Sequence, residues 1–182
     1  DYEWEQLEYK LKNLTKAPIY IDDTPSMPVM EFRTKAKNLV KNKQVALIIV
    51  DYLQLMQGPA ELRGMREQEV AAISRTLKQT AKELNIPIIA LSQLSRAAVQ
   101  RTGGSGKPQL SDLRESGSIE QDADLVLFIH PLQKKDDDEP AIGGGQEVDI
   151  IIAKNRNGPV GECKLLFFPQ YTRFESMSKE KE

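Results

Sequence analysis

The chain has 182 residues, of which 40% are hydrophobic and 29% charged, with a formal net charge of -2. That is enough for one sizeable core and is an ordinary globular composition, and the near-neutral balance excludes a protein that binds nucleic acid through total charge, so any such site must be local. Cys163 is the only cysteine and His130 the only histidine, which excludes an internal disulfide, argues against a zinc site, and suits a reducing compartment.

The chain opens Asp1-Tyr2-Glu3-Trp4, already inside an amphipathic pattern, with no Met and no signal-peptide pattern. A piece of a longer protein is therefore expected. Trp4, Leu7, Leu11 and Leu14 recur at helical spacing and predict a helix over 2–15. Ile19-Tyr20-Ile21 reads as a short strand ended by a turn at Asp22-Asp23-Thr24-Pro25. A second helix is expected from Pro28, with Val29, Phe32, Ala36, Leu39 and Val40 inward and Lys35, Lys37, Lys41 and Lys43 on its solvated side.

The run from Val45 to Val50 predicts a strand over 45–51, buried on both faces and ending in Asp51. Gly58-Pro59 opens a polar loop to about Arg66, and Val70, Ile73, Leu77, Ala81 and Leu84 mark a helix over 67–84 that Asn85 and Pro87 end. A second buried strand over 86–91 leads into Ser92-Gln93. Strand, helix, strand at this spacing is a right-handed crossover, so the sheet is parallel here.

Residues 94–101 read as a short basic helix, 103–106 as a flexible glycine-rich loop, and 110–122 as a polar helix before a strand over 125–129. The acidic and glycine-rich stretch 134–145 reads as a mobile hairpin tip without chemistry. Strands over 147–153, 161–168 and 171–175 are expected antiparallel because their connections are short, with a disordered tail from Met177. No apolar run approaches the ~18 residues of a membrane span.

Four groups are candidates for chemistry. In an open parallel α/β sheet, ligands bind at the carboxyl ends of the strands. Asp51 stands at such an end and can hold Mg²⁺ against nucleotide phosphates, as a Walker B carboxylate does; it is equally the first polar residue after a buried strand. Gln93 follows the next strand, where an amide can donate to a γ-phosphate, orient a water, or simply be solvated in a turn. Gly117 lies inside a polar helical stretch, where glycine costs about 1 kcal/mol against alanine. Close backbone approach to a phosphate beside Arg114 would explain it, and so would a plain surface kink. Lys154 and Arg156 sit in the turn Lys-Asn-Arg-Asn-Gly-Pro, from which two cations would project outward, either as fingers into a neighbouring subunit's phosphates or as a solvated basic turn. Gly-x-x-x-x-Gly-Lys-Ser/Thr occurs nowhere in the chain, and Asp51 is followed by Tyr52 rather than a glutamate base.

Four segments in order resemble one family: Ile48–Met56 (Ile-Ile-Val-Asp-Tyr-Leu-Gln-Leu-Met), Leu91–Arg96 (Leu-Ser-Gln-Leu-Ser-Arg), Ser111–Asp124 (Ser-Asp-Leu-Arg-Glu-Ser-Gly-Ser-Ile-Glu-Gln-Asp-Ala-Asp) and Ile152–Gly158 (Ile-Ala-Lys-Asn-Arg-Asn-Gly). From about residue 2 to 176 the chain is similar to the motor domain of bacterial replicative DNA helicases, the DnaB family of RecA-like ATPases. The resemblance implies an α/β, RecA-like ATPase core: a mostly parallel central sheet flanked by helices, with antiparallel C-terminal strands, truncated before the P-loop. It implies a domain over 1–176 and a tail over 177–182.

The resemblance also implies roles. Asp51 would bind Mg²⁺. Gln93 would sense the γ-phosphate of ATP. Arg114, Glu115 and Gly117 would hold the backbone of single-stranded DNA. Lys154 and Arg156 would reach the ATP of the adjacent subunit. The parent would be a homo-hexamer that unwinds DNA with ATP and Mg²⁺, with a helicase loader and primase as further partners and no membrane association. The phosphate loop and catalytic glutamate would lie upstream, so this piece alone is expected to bind nucleotide poorly and not to hydrolyse it. The competing readings are a non-hydrolytic DNA-binding or assembly module, and another RecA-like ATPase, against which Leu113–Glu120 argues.

Overall fold

The computed structural model describes residues 2–94, 106–132 and 144–177, with the side chains of Asn13 and of 114–116 left aside. The expected basic helix at 94–101 and the loops at 103–106 and 134–145 fall almost wholly outside the described residues, as does the tail after Met177. Helix α1 spans Tyr2–Thr15 and α2 spans Val29–Lys43, with Pro28 as its N-cap. The strand expected at 19–21 does not form. The Ile19 amide is taken locally by the Ala17 carbonyl at 2.8 Å, which removes a donor that a ladder would need. The turn that follows is closed by Asp22, whose Oδ1 accepts from the Thr24 amide at 3.1 Å and the Thr24 hydroxyl at 2.6 Å.

Strand β1 (Ile48–Val50), helix α3 (Arg66–Leu84) and strand β2 (Ile88–Ala90) form the expected parallel unit. Ile48 pairs with Ile88, Ile49 with Ile89 and Val50 with Ala90. Helix α3 ends where predicted: Asn85 adopts the left-handed conformation at φ 51, which asparagine tolerates better than most residues. Its inner face, Val70, Ile73 and Leu77, joins Val29, Phe32 and Ala36 of α2 and Leu53 and Met56 after β1 in one core. Arg33 and Lys37 of α2 meet Glu83 of α3 across the rim of that core.

The expectations for both strands are corrected. β1 is three residues long rather than seven and β2 three rather than six, and neither is buried on both faces: Ile49 of β1 is 61% and Ile89 of β2 48% exposed. Helices α2 and α3 cover one face of the pair, and within this chain no described element covers the other.

The polar stretch predicted as one helix divides. Leu110–Ser116 is a 3-10 helix, and the α-helix proper, α4, begins at Gly117 and ends at Asp122. Gln109 and Asp112 close the start reciprocally, with the Gln109 amide donating to Asp112 Oδ2 at 2.8 Å. Strands β3 (Leu125–Pro131), β4 (Gln146–Asn155), β5 (Gly161–Phe168) and β6 (Arg173–Ser176) form an antiparallel meander. The start of β6 is later than expected because a short 3-10 turn, Pro169–Tyr171, and a left-handed Thr172 intervene.

The sheet expected to be central and mostly parallel is therefore two sheets among the described residues. One is a parallel pair, β1-β2, and the other an antiparallel four, β3-β4-β5-β6. A second core of Leu113, Val126, Phe128 and Ile151 underlies the larger sheet, and Ile119 of α4 packs against both cores.

Candidate functional site

The parallel ladder brings Asp51 and Gln93 off the same end of adjacent strands. The Leu91 amide donates to the Val50 carbonyl at 2.9 Å, and the Leu53 amide returns to the Leu91 carbonyl at 2.9 Å. The two tips are thus tied beyond the last ladder pair. Asp51 is exposed, and so is Gln93. Gln54, a residue that the sequence did not single out, bridges the tips: its Nε2 donates to Ser92 Oγ at 2.9 Å, and its Oε1 accepts from the Gln93 amide at 3.4 Å. The Arg66 guanidinium holds the Gln54 carbonyl at 2.9 Å. Gln54 falls inside the Ile48–Met56 segment, but its bridging role shows only once β2 lies alongside.

Mg²⁺ in nucleotide sites is commonly bound by one or two carboxylates plus phosphate oxygens and water. Asp51, an exposed hard oxygen donor at a strand end, fits that use as a single ligand. No group of three or more candidate ligands stands together among the described residues, so phosphate and water would supply the remaining positions.

Arg114 and Glu115 lie on the 3-10 segment and Gly117 at its junction with α4. Gly117 has an ordinary helical φ of -49, and a β-carbon there would meet nothing within 4 Å. Among the described residues, neither backbone strain nor packing calls for glycine there.

Lys154 and Arg156 depart from expectation. Lys154 does not follow the strand but lies within β4, opposite Val126. The register jumps at this point: Val126 faces Lys154 while Leu127 faces Ile152, so Ala153 is an unpaired bulge residue. A bulge reverses which face the next side chain takes. Lys154 is thereby turned to the face of Val126, where α4 packs. Rather than projecting outward, both cations fold back on their own chain. Lys154 Nζ donates to the carbonyls of Glu120 and Gln121, and Arg156 Nη2 donates to that of Gln121.

The reason is chemical, since the last carbonyls of a helix lack intrahelical partners and attract cations. The Arg156 amide also donates to the Asp124 carbonyl at 2.9 Å, and its guanidinium stands 3.6 Å from the Asp124 carboxylate. Asp124 in turn pairs with Lys78 of α3, which holds its carboxyl below the usual carboxylate range, with Arg156 and Lys154 adding to the effect. One residue upstream of Ala123, the Asp122 carboxylate accepts from Ser74 at 2.9 Å. The turn itself is shaped by Asn155, whose Oδ1 accepts from the Asn157 amide at 3.2 Å. A β-carbon on Gly158 would come within 2.8 Å of the Asn155 side chain.

The mixed α/β arrangement, a parallel pair beside a separate antiparallel sheet, matches that of a solved ATPase domain. The chain superposes on one solved ATPase domain with a TM-score of 0.81 at 34% identity, covering 98% of this chain and 61% of that one. It matches equally well a solved DnaB-like replicative helicase, described with its interactions with primase, of which it covers 42%. The profile of the DnaB-like helicase C-terminal domain matches residues 1–176, and the chain belongs to that family. It is 45% identical to the replicative DNA helicase DnaB of Geobacillus stearothermophilus and 44% identical to the replicative DNA helicase DnaC of Bacillus subtilis, over 97% of its own length in each case. It spans 38% of the length of either relative. No helix among the described residues is long and apolar enough to cross a membrane.

Proposed function

We propose that this chain is the C-terminal part, residues 1–176, of a RecA-like motor domain in an ATP-driven replicative DNA helicase that moves on single-stranded DNA as a ring hexamer in the cytoplasm. The observation that carries the proposal is the pairing of the Asp51 and Gln93 strand tips in one parallel ladder within a family of helicase domains. In this reading Asp51 is the carboxylate on Mg²⁺, and Gln93 contacts the γ-phosphate of ATP. Arg114, Glu115 and Gly117 line the path of the DNA backbone, consistent with a glycine that packing among the described residues does not require. Lys154 and Arg156 stabilise phosphoryl charge in the neighbouring subunit's site. A loader and primase are the further partners that this reading implies for the whole helicase.

For the 182-residue chain alone, a second reading, binding or assembly without turnover, is favoured by the absence of any Gly-x-x-x-x-Gly-Lys-Ser/Thr segment from its sequence. The test of the motor reading is Arg156→Ala in the full-length helicase that carries this segment. ATP turnover should fall to background while single-stranded DNA binding without nucleotide changes little. Turnover at the wild-type level would defeat the role in trans.

A further inference from the structure

Lys154 and Arg156 are occupied in this structure. Their head groups supply donors to the Glu120 and Gln121 carbonyls, which end the same helix, α4, that begins at Gly117. The segment proposed to touch DNA and the cations proposed to touch the neighbour's ATP are therefore joined by less than two turns of helix. Asp124 sits at the junction. It faces Arg156 on one side and Lys78 on the other, and Asp122 fastens the same stretch to Ser74 of α3.

Resting on the motor reading above, we propose that Asp124 is a positioning residue that, with the C-terminal carbonyls of α4, gives Lys154 and Arg156 a resting seat in their own subunit. That seat competes with the triphosphate of the adjacent subunit. A head group held on the α4 carbonyls is not on a phosphate, and one that has reached across has left those carbonyls without partners. Nucleotide in the neighbouring site thus withdraws the cap from α4 and loosens the 110–122 segment, and whatever DNA does to that segment acts back on nucleotide affinity by the same factor. Lys78 sets the balance, because it shares the Asp124 carboxylate with Arg156.

Two substitutions should act in opposite directions in the full-length hexamer. Asp124→Asn weakens the seat, so the magnesium complex of adenylyl imidodiphosphate should bind about two- to fivefold more tightly, the range of an exposed ion pair. The change that this nucleotide causes in affinity for a labelled oligo-dT strand should shrink. Lys78→Gln leaves Asp124 to Arg156 and Lys154, so nucleotide should bind more weakly by a similar factor. Damage to folding would move both variants the same way, and that result, or no change in either, overturns the proposal. If Arg156→Ala abolishes turnover while neither variant shifts affinity, the resting seat fails and the motor reading stands. If Arg156→Ala leaves turnover intact, both fail.

Discussion

Ala153 decides where Lys154 goes. Without that unpaired residue, strict alternation along β4 would turn Lys154 away from the face that Val126 and Ile151 share, and from α4. The tips of β1 and β2 show the same dependence on neighbours: Gln54 matters because Ser92 and Gln93 lie within its reach, not because of what precedes or follows it. Arg114 is the residue whose proposed role is most directly measurable. If it contacts a phosphate, Arg114→Ala in the full-length protein should weaken single-strand binding and lower the slope of log affinity against log salt by about 1. The measurement is a salt titration of oligo-dT anisotropy, and an unchanged slope would exclude a phosphate contact there.

The elements most legible in the sequence are those with long apolar periodicity and a clear stop. Helix α3 is the clearest, since Val70, Ile73 and Leu77 fall on one face and Asn85 closes it. Its centre, Ile73, is 0% exposed. Ile73→Ala should therefore cost about 2–5 kcal/mol, the range for truncating a well-packed aliphatic side chain, read as a lower denaturant midpoint with little change in slope. Short or polar elements were less legible. Ile19–Ile21 has strand-forming residues but no ladder partner among the described residues, and its first amide is spent locally. The 110–122 stretch lacks the apolar periodicity that would distinguish a 3-10 segment from an α-helix, so the change at Gly117 had no signature.

Across the described residues, two sheets stand where one was expected, and apolar side chains lie open on both. Ile49 and Ile89 face out from the parallel pair, and Leu125, Leu127 and Ile129 from β3. Exposed apolar surface of this kind marks an interaction face or an association hazard. The purified 182-residue chain should show no magnesium-dependent ATP turnover above a buffer blank, because its sequence contains no Gly-x-x-x-x-Gly-Lys-Ser/Thr segment. Turnover that co-purifies with the chain and disappears in Asp51→Asn would contradict that expectation.

Family, the long helices and the residue types at the strand tips are readable from the chain because they depend on local periodicity and on motifs whose members are close in sequence. The parallel pairing of β1 and β2 was readable too, since a long helical crossover leaves little other choice. The burial of β1, the division of the sheet and the seating of Lys154 and Arg156 on α4 were settled in three dimensions. Each depends on which surfaces meet, and a bulge or a bare helix end acquires its meaning only from the group placed opposite it.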